Sequence, residues 1–213
     1  MTVAELWRYP VKSLGGERLA RANVQSDGIA GDRRVIVVDE RSGRIVTSRT
    51  KPRLLSLRGT LGSDGEPLVD GLPWRDQAVA DAITAAAGDG ARLLAWHGPE
   101  RFDVLPLLIA TDGAIAALGH DGRRLRPNIV VGGVEGLAER DWPGRRLRIG
   151  DGVVLAPAKL RSRCVMTTYD PDTQEQDHSV LRKIVQTFDG TMALDTAVVS
   201  GGWIAIGDPV ELL

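Results

Sequence analysis

No apolar run in this chain is long. The longest, residues 104–110, is interrupted by Pro106, and the other runs of aliphatic and β-branched residues stop within a few positions at Gly, Asp or Pro. Runs of that length suit short strands, and none approaches the roughly 20 apolar residues of a membrane-spanning helix. Residues 3–7 read as a strand broken at Tyr9-Pro10. Residues 34–38 and 44–48 flank a polar turn at 39–43, the pattern of a hairpin with a longer loop. Residues 54–61 and 92–96 read as further strands, and the alanine-rich stretch 77–87 as a short helix or an irregular connection. His97-Gly98-Pro99-Glu100 breaks the chain.

Beyond that breaker, Asp112 as N-cap and Gly119 as terminator bracket a helix over residues 114–118. Residues 128–131 form a strand ending in Gly132-Gly133, and residues 145–149 and 153–156 enclose the tight turn Gly150-Asp151-Gly152. Residues 164–168 are β-branched and read as a strand stopped by Asp170-Pro171-Asp172. Residues 180–188 have helical periodicity, and residues 197–200, 203–206 and 210–213 are closing strands. Many short strands with few helices predict a mainly β or α+β, barrel-like architecture. The boundary near residues 97–102 divides it into a smaller part, 1–97, and a larger one, 98–213.

Of 213 residues, 43% are hydrophobic and 26% charged, with a net charge of −1, which describes a folded globular chain and argues against nucleic-acid binding by bulk charge. Glu5 and Arg8 interrupt the stretch where a signal peptide needs an apolar core, so a cytoplasmic location is expected. One cysteine cannot form an internal disulfide, hold an iron–sulfur cluster alone or build a zinc ribbon. The three histidines have no metal-binding spacing, and no P-loop, dinucleotide fingerprint or nucleophile elbow occurs. Chemistry must centre on Cys164, on carboxylates or on a bound cofactor.

Four segments invite a functional reading, each with a plainer alternative. Cys164 follows Lys159, Arg161 and Arg163, cations that favour a thiolate, yet a lone cysteine also serves as a small buried hydrophobe. Arg126 and Asn128 lie two apart and, in an extended strand, face one side, where a guanidinium and an amide suit a phosphate or a fused heterocycle. They equally fit an exposed strand start with solvated arginines. In Tyr9-Pro10-Val11-Lys12-Ser13-Leu14-Gly15-Gly16, Lys12 and Ser13 could meet an anion, or the segment is only a turn. Gly31-Asp32-Arg33 could supply Arg33 to a ligand or make a surface ion pair. Arginine richness by itself, 23 Arg against four Lys, carries little weight.

Taken together the segments resemble the MOSC proteins, named for the carboxy-terminal domain of molybdenum cofactor sulfurase, and within them the amidoxime-reducing component and its bacterial relatives. The matching segments are YPVKS at residues 9–13, GDR at 31–33, T-x-R-x-x-P at 47–52, RPNIVV at 126–131, D-W-x-G-x-x-L-x-I at 141–149, SRCVMTTYDPD at 162–172, and the closing segment 201–213 with its I-x-I-G-D-P-V. They run in the family's order over nearly the whole chain.

The resemblance implies a MOSC-type β-barrel with a shortened amino-terminal β domain, holding a molybdenum–molybdopterin cofactor. In it Cys164 is the molybdenum ligand and the catalytic residue. Lys12, Ser13, Arg33, Arg126 and Asn128 contact the pterin and its phosphate, with Ser162 and Arg163 beside the metal ligand. Thr111 stands where closer relatives begin a Ser- or Thr-rich helix and is carried as a further contact. The implied activity is reduction of N-hydroxylated substrates, whose oxygen leaves as water after two electrons and two protons. No ferredoxin domain or pyridoxal phosphate-dependent domain accompanies these segments, so electrons are expected from a separate electron-transfer protein. The alternative is a non-enzymatic carrier of the cofactor or of a Cys164 persulfide.

Overall fold

Eight strands join in one mixed sheet in the computed structural model, which describes residues 1–213. They are β1 (Thr2–Arg8), β2 (Glu17–Leu19), β3 (Leu107–Thr111), β4 (Ile129–Gly132), β5 (Leu147–Ile149), β6 (Val153–Ser162), β7 (Thr191–Ser200) and β8 (Val210–Leu212). Their order is β8-β5-β6-β7-β3-β4-β1-β2. Only β3 and β4 run parallel, and a parallel pair needs a crossover. That crossover contains the helix Asp112–Leu118.

The two sides of the sheet meet without forming one continuous ladder. A single bridge joins Thr2 to Pro209, supported by Val3 N–H donating to Asp208 O at 2.9 Å and Val210 N–H to Met1 O at 2.9 Å. The expected barrel is therefore an open, curled sheet stitched at its seam. The first strand of the chain thus sits in the same sheet as the last.

Strand β3 shows how the layers form. Leu107 and Ile109 face an inner core of eighteen residues with Leu6, Ile129, Leu147 and Leu155. Leu108 and Ala110, on its other face, pack beneath the helices Asp112–Leu118 and His178–Thr187, against Leu118, Val180 and Ile184. A small sheet, Arg21–Gln25 with Gly202–Ala205 and Gly28–Ile29, closes the inner core with Ala22, Val24 and Ile204. A separate core fills the amino-terminal part. There the hairpin Val35–Asp39/Ile45–Val46, the strand Ala91–Ala95 and the helix Gln77–Ala87 bury Val35, Val37, Val79 and Ile83 around Val11 and Leu14.

Three expectations differ. The helix after β3 is capped by Thr111, whose hydroxyl accepts from Ala114 N–H at 3.1 Å, and Asp112 is already its first residue. Residues 54–61 are not one strand: Pro52 starts a 3-10 turn, Pro52–Ser56, and only Gly59–Leu61 is extended. Residues 164–168 form a 3-10 turn, Val165–Thr168, because the Thr167 and Thr168 hydroxyls donate back to the carbonyls of Cys164 and Val165, at 3.0 and 2.7 Å. No helix is long and apolar enough to cross a membrane.

Candidate functional site

A cleft of about 230 Å³ is lined by both parts of the chain. From the amino-terminal part come Lys12, Ser13, Arg33 and Thr47–Arg49; from the rest come Asp103, Arg126 and the segment Arg161–Cys164. The loop after β1 is held by Lys12 N–H donating to Val35 O at 2.8 Å. The turn before Arg33 is held by Asp32 N–H on Ile29 O and by Arg33 N–H on Tyr9 O, at 2.9 and 2.8 Å. Arg163 leaves β6 with its N–H on Gly190 O at 2.8 Å, and Cys164 follows in extended backbone, half-buried, at the head of the 3-10 turn.

Ser13, Arg33 and Arg126 have φ of 77°, 51° and 56°. Non-glycine residues rarely occupy this left-handed region, and strain of this kind collects at functional sites. The fold holds these side chains in place at a cost in backbone energy.

Six cations, Lys12, Arg33, Arg49, Arg126, Arg161 and Arg163, line the cleft with one carboxylate, Asp103. Lys12 Nζ donates to Asp103 Oδ1 at 3.2 Å and to Glu100 O at 2.9 Å. Arg161 is shared between Asp195 and Asp103, and Arg33 pairs with Asp32. Arg126 has no carboxylate partner: it donates to Leu14 O at 2.7 Å and stacks 4.3 Å from the Tyr9 ring centroid. Arg163 donates to Leu125 O, while its buried Nε has no partner.

Burial lowers the pKa of Lys12, with Asp103 pulling the other way. Burial also lowers that of Arg126. Arg163 is pushed down to about 10 by burial, with Arg161 adding repulsion. Burial alone would raise Asp103, but Lys12 and Arg161 outweigh it and hold the carboxyl below the usual aspartate range. Desolvated, under-neutralised cations and an orphaned guanidinium nitrogen favour an incoming polyanion.

Seven of the expected residues meet here: Lys12, Ser13, Arg33, Arg126, Ser162, Arg163 and Cys164. Asn128 does not line the cleft. Arg126 is not in extended backbone, so the two-residue spacing does not put the pair on one side. Asn128 is instead buried, with Nδ2 donating to Asp32 Oδ2 at 3.2 Å and Oδ1 accepting Leu108 N–H at 3.1 Å. Thr111 lies apart as well, fully buried, capping its helix and donating to Glu139 Oε2 at 3.1 Å. Asp103 and Arg161 were not expected as lining residues. Arg161 stood in the cationic run before Cys164, but nothing in the sequence around Asp103 marks it.

A second cavity of about 320 Å³ shares Arg126 and Met166 with the first and is walled by Trp7, Tyr9 and Tyr169. No group of three or more His, Cys, Asp or Glu side chains is arranged for a metal ion. A metal at Cys164 would therefore need its other ligands from the molecule that carries it, and the cation-lined cleft beside that thiol fits such a carrier if it is a polyanion.

The family model for the MOSC N-terminal beta barrel domain matches residues 1–96, and that for the MOSC domain matches residues 112–211. Mitochondrial amidoxime-reducing component 1 of Homo sapiens is 29% identical, over 81% of this chain and 67% of its own. The Mus musculus protein of the same name is 25% identical over 100% of this chain and 82% of its own. Among solved structures, the YUAD protein from Bacillus subtilis superposes with a TM-score of 0.54 at 14% identity, over 99% of this chain and 94% of that one, a likeness of fold. With both domain models matched in sequence order around the cleft, the chain belongs to the MOSC family.

Proposed function

We propose that the protein is a molybdenum-cofactor-dependent reductase of N-hydroxylated compounds, fed by a separate electron-transfer protein. One observation carries the proposal: a single half-exposed thiol, Cys164, opens into a cleft with six cations and one carboxylate. When bound, the pterin-held molybdenum supplies a two-electron redox centre. Cys164 is the protein's ligand to it, a soft donor as the thiolate. Lys12, Arg33, Arg126 and Arg163 hold the phosphate end, and Ser13 and Ser162 add hydroxyl donors. Asn128 acts one step back, through Asp32 on Arg33. In the net reaction the N–O bond of the substrate breaks and two electrons from the partner with two protons from solvent yield the N–H product and water. Amidoximes and N-hydroxylated bases have this chemistry, and the amidoxime-reducing components among the relatives support that choice.

The test is protein made in a cofactor-competent host. Molybdenum and pterin at one per chain, with benzamidoxime reduction driven by reduced methyl viologen, is the expected result. Stoichiometric molybdenum without reduction would leave a carrier in place of an enzyme. Protein without molybdenum or pterin from such a host would overturn both.

A further inference from the structure

The second cavity has a charge pattern that holding a cofactor in the first cleft does not use. Of its four cations, Arg126 is shared with the first cleft, and Arg123 is cancelled by Asp172 through two bonds of 2.8 and 2.6 Å. Arg124 is held by Thr168 O at 2.9 Å and Asp170 at 3.0 Å, yet its Nε is buried without a partner. Arg58 stands at the exposed rim, and its guanidinium makes no hydrogen bond or ion pair; only its backbone is engaged, its N–H donating to Asp70 Oδ1 at 2.8 Å and its carbonyl accepting Asp70 N–H at 2.9 Å. Half-buried Trp7 and Tyr169 line the same cavity, and Met166 lines both it and the cleft of Cys164, two residues earlier.

We propose that this cavity is a substrate subsite for an oxyanion carried on a planar ring. The ligand class is an aromatic or heteroaromatic N-hydroxylated compound bearing a carboxylate or phosphate. The ring lies among Trp7, Tyr169 and Met166, the oxyanion meets Arg58 with Arg124 behind it, and the N-hydroxyl group points past Met166 toward Cys164. The assignment rests on the reductase proposal for its N-hydroxyl group but not for its anion, which direct binding measures.

Isothermal titration of the protein with 4-carboxybenzamidoxime and with benzamidoxime tests it. The carboxylate compound should bind about tenfold more tightly, the usual worth of a charge-assisted contact, and Arg58→Ala should bring the ratio close to one. Arg75→Ala, an exposed arginine outside the cavity, should leave the ratio as it is. An N-hydroxylated cytidine monophosphate compared with its nucleoside distinguishes a phosphate from a carboxylate preference. Where Arg58→Ala does not fold, raising salt on the wild type should shrink the ratio, since an exposed contact is screened. Equal binding of charged and neutral compounds overturns the subsite. So does a ratio that survives Arg58→Ala, which would put the anion on Arg126 or in the Lys12 cleft. A tenfold ratio with no reduction of either amidoxime would leave the subsite standing and remove the reductase.

Discussion

Asn128 Nδ2 lies 3.2 Å from Oδ2 of Asp32, a residue 96 positions earlier that pairs with Arg33 and also accepts Tyr9 N–H at 2.7 Å. A buried amide thus holds a buried carboxylate, which in turn aims a cleft arginine. The loop after β1, the turn at Gly31–Arg33 and the start of β4 are locked at one point. The cleft exists because these three segments, distant in sequence, share one polar cluster.

Asn128→Ala should therefore act on stability first. It removes the contacts to Asp32 and Trp7 O and leaves the buried Leu108 N–H unpaired, at a cost of about 2–4 kcal/mol. Urea unfolding of the cofactor-free chain measures this. Arg126→Ala is the contrast: its half-buried cation lacks a carboxylate partner, so the empty protein should lose less than about 1 kcal/mol while cofactor retention drops. Equal stability losses in the two variants would mean that Asn128 is no more structural than Arg126.

Asp103→Asn should tighten anion binding. It deletes the one carboxylate among six cations, and inorganic pyrophosphate should bind the cofactor-free cleft about three- to tenfold better by titration. The variant should also change the acid limb of stability. Asp103 titrates below its ordinary 3.8 in the folded protein, so its stabilisation is present above that pH and lost as pH falls through the folded value. Removing it should flatten the unfolding free energy between about pH 4 and pH 2. An unchanged acid slope would mean that the Lys12 pair contributes nothing to folding.

What could be read from the sequence was local. The hairpin pairing Val37 with Val46 follows from its polar turn, and the β5–β6 pairing of Ile149 with Val153 follows from Gly150-Asp151-Gly152. Helix His178–Thr187 follows from its apolar spacing, with Val180 and Ile184 buried. Seven of the cleft residues were legible because they sit in short motifs. Arg161 and Asp103 were not, since they meet only when the segment before β3 comes against the end of β6, at 3.5 Å. Residues 164–168 misled because β-branched composition favours strands, whereas two threonine hydroxyls bonding to their own turn outweigh that preference here.

Thr111→Val separates a helix cap from a ligand contact. The hydroxyl caps Ala114 N–H and donates to the buried Glu139, so its loss should cost about 1–3 kcal/mol without lowering cofactor content. Burial raises the Glu139 pKa, and the Thr111 hydroxyl opposes that rise. A carboxyl raised in the folded state gives stability that is full below its ordinary 4.5 and drains as pH rises through the folded value. The Thr111 hydroxyl bonds more strongly to the ionised carboxylate than to the neutral acid, so the variant's penalty should be larger at pH 7 than at pH 4. A fall in molybdenum content at unchanged stability would instead make Thr111 a ligand contact.

Cys164→Ser tests the centre of the proposed chemistry. The Cys164 carbonyl, not its thiol, holds the following turn, accepting Thr167 N–H at 3.1 Å and the Thr167 hydroxyl at 3.0 Å. Serine preserves both bonds and nearly the same volume at a half-buried site, so the cofactor-free Tm should move by no more than about 2–4 °C, the shift expected of a change near 1 kcal/mol in a chain of this size. The donor itself changes from a soft thiolate to a hard neutral hydroxyl. Viologen-driven reduction should disappear and the molybdenum signal should change or vanish. Pterin should be partly retained, because the cations Lys12, Arg33, Arg126 and Arg163 still line the cleft and, on the proposed reading, would still meet its phosphate end. Full activity in this variant would remove Cys164 as the metal ligand and the reductase mechanism with it.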